Sequence, residues 1–242
     1  MLFFGGFMDD FASALAAAER DAGGKGIGTM GEKTLHLALK YYFAPDPETH
    51  EREVGGFIAD AVTEDGIFEI QTRGLSRLKP KLQAFLPVCP VTVVHPVALE
   101  KRLLRVDENG VLLSSRKSPK HESVFSAMRE IYTLRDFLNN DRFRIALCGV
   151  ELAEYRIAGK RGSQCKLDRV PLALRELWML ESGDDYAALL PQALPDPFSV
   201  SDLSALLHQP EMHIRMYVNI LARFRCIREC GRRGRYKLWQ RG

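Results

Sequence analysis

The chain has 242 residues, 46% of them hydrophobic, and a net charge of +3; that is enough apolar content for one sizeable core and a small second one, and it excludes disordered and fibrous classes. No apolar run nears the roughly 18–20 residues that cross a bilayer. The apolar start Met1–Met8 has no basic flank and runs into Asp9 and Asp10, so no signal peptide, no membrane span and a cytoplasmic location are expected.

Residues 7–20 read as a short amphipathic helix. Ala22–Gly28 (AGGKGIG) is a glycine-rich loop; it has no G-K-[ST] ending and no preceding strand, which rules out a phosphate-binding loop. Thr29–Phe43 predicts a helix stopped by Pro45 and Pro47. Strands are expected at about 50–54, 56–62 and 67–73, punctuated by Gly55-Gly56 and Glu64-Asp65-Gly66. Leu75–Leu86 reads as a basic amphipathic helix that Pro80 delays or kinks. The β-branched run Pro90–Val97 suits a buried strand. Beyond it we expect a hairpin over Lys101–Leu113, a helix over 124–139, a strand over 144–150, a basic loop at 159–162 and a helix over 172–180. The proline-bearing segment 193–198 (ALPDPF) is the expected linker. Five cysteines (Cys89, Cys148, Cys165, Cys226 and Cys230), odd in number and without a C-x-x-C pair, describe neither a disulfide framework nor a common zinc site.

Side chains alternate across a strand, so Asp60 shares a face with Ile58 and Val62, and Glu69 shares one with Ile67 and Gln71. If these strands form a hairpin, Asp60 pairs with Glu69 or, one step later, with Gln71; both registers set Asp60 and Glu69 on one face as neighbours. Directly opposed carboxylates about 5 Å apart destabilise a sheet, and a shared proton or a divalent cation would relieve them. Mg²⁺ prefers one or two carboxylates plus waters and phosphate oxygens.

The order helix, three strands, helix, strand, with Phe57-Ile58-Ala59-Asp60 and Phe68-Glu69-Ile70-Gln71, resembles the PD-(D/E)xK, or restriction-endonuclease-like, nuclease superfamily over residues 27–97. The resemblance implies an α/β fold with that core around a mixed sheet. It further implies phosphodiester hydrolysis with Asp60 and Glu69 holding Mg²⁺ (Mn²⁺ as the alternative), Glu32 as the extra acid that some members use, and Gln71 positioning water. Thr29-x-x-Glu32 is also a capping-box pattern. The departure is Gln71, where the usual lysine offsets developing charge. Arg73, Arg77 or Lys81, along with Lys79, could supply that charge or grip a phosphate. A nuclease fold that no longer cuts and serves as a DNA-binding or regulatory protein is the alternative that Gln71 favours.

Residues 199–242 carry nine Arg or Lys against three acids, +6, while residues 1–198 sum to −3; the basic part suits a polyanion. A capped helix from Ser199, a turn at His208-Gln209-Pro210, a helix over 211–224 and two short strands resemble a winged helix-turn-helix over 196–242. The resemblance implies nucleic-acid binding, with Arg215 and Asn219 reaching base edges and Arg232, Arg233 and Arg235 on phosphates. The chain is therefore divided into a nuclease-like domain at 1–192 (core 27–97, extension 98–192), a linker at 193–198 and a winged-helix domain at 199–242. DNA is the expected partner, with RNA as the alternative. Many superfamily members cut as dimers, so a homodimer is one expected arrangement, although the sequence itself carries no dimer signal.

Overall fold

A computed structural model describes residues 4–21, 34–158 and 164–242. Glu32, the glycine-rich loop, the expected helix start at Thr29 and the basic loop 159–162 lie outside the described residues. The first helices are α1 (Phe4–Asp21) and α2 (Thr34–Phe43). A meander follows: β1 (His50–Val54), β2 (Phe57–Thr63) and β3 (Gly66–Ile70). A 3₁₀ turn (Leu75–Leu78) leads into α3 (Lys79–Phe85). Pro80 falls in the first turn of α3, where its missing N–H removes no helical bond. The order helix, three strands, helix, strand is completed by β4 (Val91–Val106).

The expected hairpin follows as β4 and β5 (Leu112–Lys117), then α4 (Val124–Tyr132) and the long strands β6 (Phe143–Ala158) and β7 (Gln164–Leu180). Among the described residues these seven strands form one mixed, mostly open sheet in the order β1-β2-β3-β4-β6-β7, with β5 off this path beside β4. The meander is antiparallel, β3-β4 and β4-β6 are parallel, and β6-β7 is antiparallel. β3 and β5 share one edge of β4: β3 lies along Val91–Val94 and β5 along Arg102–Val106.

The expected helix over 172–180 is a correction, because that stretch is part of β7. Bulges at Gly149/Val150 and Glu151/Leu152 shift the register of β6 against β7. Pro171, Leu174 and Leu180 are consequently buried while Leu172, Arg175 and Glu176 face out. Bulges turn a period of two into one that imitates a helix. Pro171 is accommodated because β7 is an edge strand.

Helices cover both faces of the sheet. On one side, Phe11 and Ala14 of α1 and Leu35, Ala38 and Leu39 of α2 share a cluster with Val94, Ala146 and Val150. On the other, α3 and α4 pack Leu82, Phe85, Met128 and Ile131 against Val91, Val93 and Ile145. The central strand β4 is apolar on both faces, which explains its near-continuous hydrophobic run.

The C-terminal elements are a short helix α5 (Gly183–Ala187), α6 (Val200–Leu207), α7 (Glu211–Arg223) and the hairpin of β8 (Ile227–Arg233) and β9 (Tyr236–Arg241). Ser199 caps α6, with Asp202 completing a capping box. The segment 193–198 is packed rather than loose. Leu194 and Phe198 are buried, and Phe198 pairs its backbone with Trp239. Ile214, Tyr217, Val218 and Leu221 of α7 belong to the same hydrophobic cluster as Phe125 and Met128 of α4. The basic region thus shares a core with the sheet. Among the described residues no helix is long and apolar enough to cross a membrane.

Candidate functional site

The hairpin of β2 and β3 sets the site. Gly66 opens β3 at φ +115°, and a Cβ there would lie 2.4 Å from Pro90 O, so only glycine lets β3 start this close to the chain entering β4. The register pairs Val62 with Ile67 and Ala61 with Phe68, which carries Asp60 opposite Glu69. At that step side chains join the ladder. Ile70 N donates to Asp60 Oδ2 at 2.7 Å, and Asp60 N donates to Glu69 Oε1 at 3.2 Å. Each carboxylate is thereby fixed by the backbone of the other's strand.

Glu69 is 1% exposed. Burial, and then the charge of Asp60, push its carboxyl up to about 7, and Lys81 pulls it part of the way back. Lys81 comes from α3, and its Nζ donates to Glu69 Oε2 at 2.8 Å and Oε1 at 3.1 Å. His36 of α2 brings Nε2 to 3.6 Å from Asp60 Oδ2. These side chains line a cleft of about 300 Å³ together with Gln71, Arg73, Arg77 and, from β7, Arg169. The cleft opens at the carboxyl end of β3 beside the parallel β4, a place where open α/β sheets commonly bind ligands.

Six residues singled out from the sequence therefore meet in one place: Asp60, Glu69, Gln71, Arg73, Arg77 and Lys81. Gln71 engages its amide with its own loop: Nε2 donates to Arg73 O at 2.5 Å and Gly74 O at 3.5 Å, bracing the loop into α3. Its backbone oxygen meets His95 Nδ1 at 2.7 Å. Position 71 carries no charge, and the positive charge beside Glu69 comes from Lys81 of the next helix. His36 and Arg169 were not singled out. Neither stands in a recognisable motif, and the place of Arg169 depends on the tertiary path of β7, whose Asp168 accepts from Thr34 Oγ1 of α2 at 2.5 Å.

The donor set fits a hard divalent cation. It offers two carboxylates on adjacent strands, one of them nearly buried, beside an open cleft that leaves room for water and phosphate oxygens. Among the described residues no group of three or more His, Cys, Asp or Glu side chains forms an all-protein metal cage. Such a cage is not what Mg²⁺ requires.

The other expected residues separate into two sets. Arg215, Asn219 and Arg235 line a groove of about 550 Å³ between α7 and β9, with Tyr236 and Trp239. Arg235 stacks over the Tyr236 ring at 5.1 Å. Arg232 is exposed on β8. Arg233 is tied to the cap of α6, with Nη2 2.6 and 2.8 Å from the two oxygens of Asp202.

Residues 33–180 match the family model described as "Domain of unknown function (DUF8091)", and the chain belongs to that family. The match runs from α2 to the end of β7. A protein of Treponema pallidum (strain Nichols), described as "Uncharacterized protein", is 33% identical over 223 residues, covering 89% of this chain and 87% of the relative. No solved structure matches.

Proposed function

We propose that the chain is a Mg²⁺-dependent nuclease of the PD-(D/E)xK type that hydrolyses phosphodiesters of DNA, with its C-terminal elements acting as a winged helix that docks the substrate. The observation that carries this reading is the interlocked pair Asp60 and Glu69 with Lys81 on Glu69, all in a cleft at the end of β3. The order α2, β1-β2-β3, α3, β4 supports a restriction-endonuclease-like core. The sequence α6, α7, β8-β9, with a basic groove beside α7, supports the winged helix.

Asp60 and Glu69 would hold the cation, which would supply Lewis-acid activation of water and neutralise charge at the phosphodiester. Lys81 draws Glu69 part of the way back toward its ionised form and sets a positive charge where negative charge develops on the phosphate. Arg73 and Arg77, on the same cleft, suit the phosphate oxygens. Glu32 is assigned to the assisting acid by resemblance alone.

The second reading is a nuclease fold that binds DNA without cutting it, and it is favoured by the engagement of Gln71 with its own loop. Cleavage assays on plasmid, linear, branched and single-stranded DNA, and on RNA, with Mg²⁺, Mn²⁺ or EDTA separate the two. Metal-dependent cutting by the wild type, lost in Asp60→Ala, supports the nuclease and identifies its substrate. Tight binding without cutting under any metal supports the second reading.

A further inference from the structure

The cleft around Asp60 and Glu69 does not end there. Thr72, Arg73 and Arg169 line it, and the same three residues line a second cleft of about 490 Å³. That larger cleft lies over the middle of β4, between the long strands and α4, and Lys101, Lys120, Arg129 and Lys166 stand in its wall. Its acids are already engaged. Glu122 accepts from Ala98 N and Glu130 from Leu75 N, each at 3.1 Å. Glu154 lies 3.7 Å from Lys101 Nζ, 3.6 Å from Lys166 Nζ and in contact with Arg156. Lys120 lies 3.9 Å from Glu122.

Among the described residues, Arg73 and Arg169 have no carboxylate within ion-pair distance. Burial of Arg169, and then the nearby charge of Arg73, hold its guanidinium below the ordinary arginine range. Two neighbouring guanidiniums, one half-buried, are unfavourable as they stand and become favourable once an anion lies between them. Their planar forks match the oxygens of a phosphate.

We propose that Arg73 and Arg169 form a phosphate clamp in the wall shared by the two clefts. It seats a phosphodiester next to the one held at Asp60 and Glu69 and leads that strand into the larger cleft. The clamp rests on the nucleic-acid reading above and deepens it by naming the path of the strand. Among the described residues the larger cleft is lined by no Phe, Tyr or Trp. With no large aromatic platform there, only the imidazoles of His95 and His213, the strand is gripped mainly through its backbone, with little dependence on base sequence.

The test is metal-free binding, in EDTA, of a fluorescein-labelled single strand of about ten nucleotides to the full chain, followed by anisotropy over a range of salt. Arg169→Gln and Arg73→Gln each bind about tenfold more weakly. Each also flattens the slope of log K against log salt by about 0.7, the share of one phosphate contact on a single strand. Arg169→Lys keeps the slope and recovers part of the affinity. Wild-type affinity and slope in both glutamine variants would overturn the clamp. Arg73 is exposed, so Arg73→Gln keeps the test valid if Arg169→Gln fails to fold. Strands with and without a 5′-phosphate, and inorganic phosphate as competitor, separate the sources of the anion. Equal binding of both strands, resistant to inorganic phosphate, supports the internal phosphodiester. Binding that needs the 5′-phosphate, or that yields to inorganic phosphate, overturns the continuing strand. No metal and no turnover enter this test. A chain that cuts DNA but ignores both substitutions therefore loses the clamp alone, and one that never cuts but depends on them loses the nuclease reading alone.

Discussion

The ammonium of Lys81 lies 2.8 Å from Glu69 Oε2 and 3.1 Å from Oε1, so the positive charge of the site enters from α3 and not from β3, which carries the carboxylate. Asp60, Glu69 and Lys81 form a charge cluster whose members come from three successive elements. Each is held by a bond to another member or to its strand.

Lys81→Met is expected to slow cleavage by about a hundredfold or more, the usual cost of removing one group that stabilises developing charge. Lys81→Arg should retain part of the rate. Single-turnover rates at saturating metal measure this, and an unchanged rate in Lys81→Met would remove Lys81 from the chemistry.

The raised Glu69 carboxyl predicts a pH dependence of stability. It titrates at about 7 in the fold against 4.5 as its ordinary value. Between these the folded chain holds a proton that the unfolded chain has released, so stability falls as pH rises through this window. Denaturant titrations of metal-free protein at pH 5 and pH 8 should show a loss of roughly 1–3 kcal/mol from this source. Glu69→Gln should lack that loss, and Mg²⁺ should restore stability to the wild type at pH 8. Identical pH profiles for wild type and Glu69→Gln would contradict the burial argument.

Gln71→Ala separates bracing from chemistry. It removes the bonds to Arg73 O and Gly74 O, at a cost of about 1 kcal/mol. Cleavage should fall by less than about tenfold, well short of the Lys81→Met effect. A loss equal to that of Lys81→Met would return Gln71 to the reaction.

The meander, its register and the apolar central strand were legible because alternation and turn residues agree from His50 to Val97. The carboxylate pair followed from that register. β7 was not legible, since its bulges against β6 replace strand alternation with a spacing that suits a helix. Arg169 was hidden with it, because its place depends on which strand β7 joins. The packed segment 193–198 was hidden by its prolines, which mark a linker in sequence but here accompany the buried Leu194 and Phe198.

The shared core makes the C-terminal elements part of the fold. The rings of Phe125 in α4 and Tyr217 in α7 lie 5.2 Å apart, and Tyr217 Oη donates to Tyr186 O at 2.6 Å. Tyr217→Ala should cost about 3–5 kcal/mol, as large aromatic deletions do. Removal of residues 199–242 should leave a chain that melts without cooperativity. Calorimetry measures both, and a truncated chain with a sharp wild-type transition would contradict the shared core.

The central claim is tested most directly by the rate of phosphodiester cleavage as a function of Mg²⁺ concentration, for wild type beside Asp60→Asn. The account predicts saturable, Mg²⁺-dependent cutting by the wild type and none by Asp60→Asn, with both proteins equally folded. Equal cutting by the two proteins, or cutting that persists in EDTA, would contradict it.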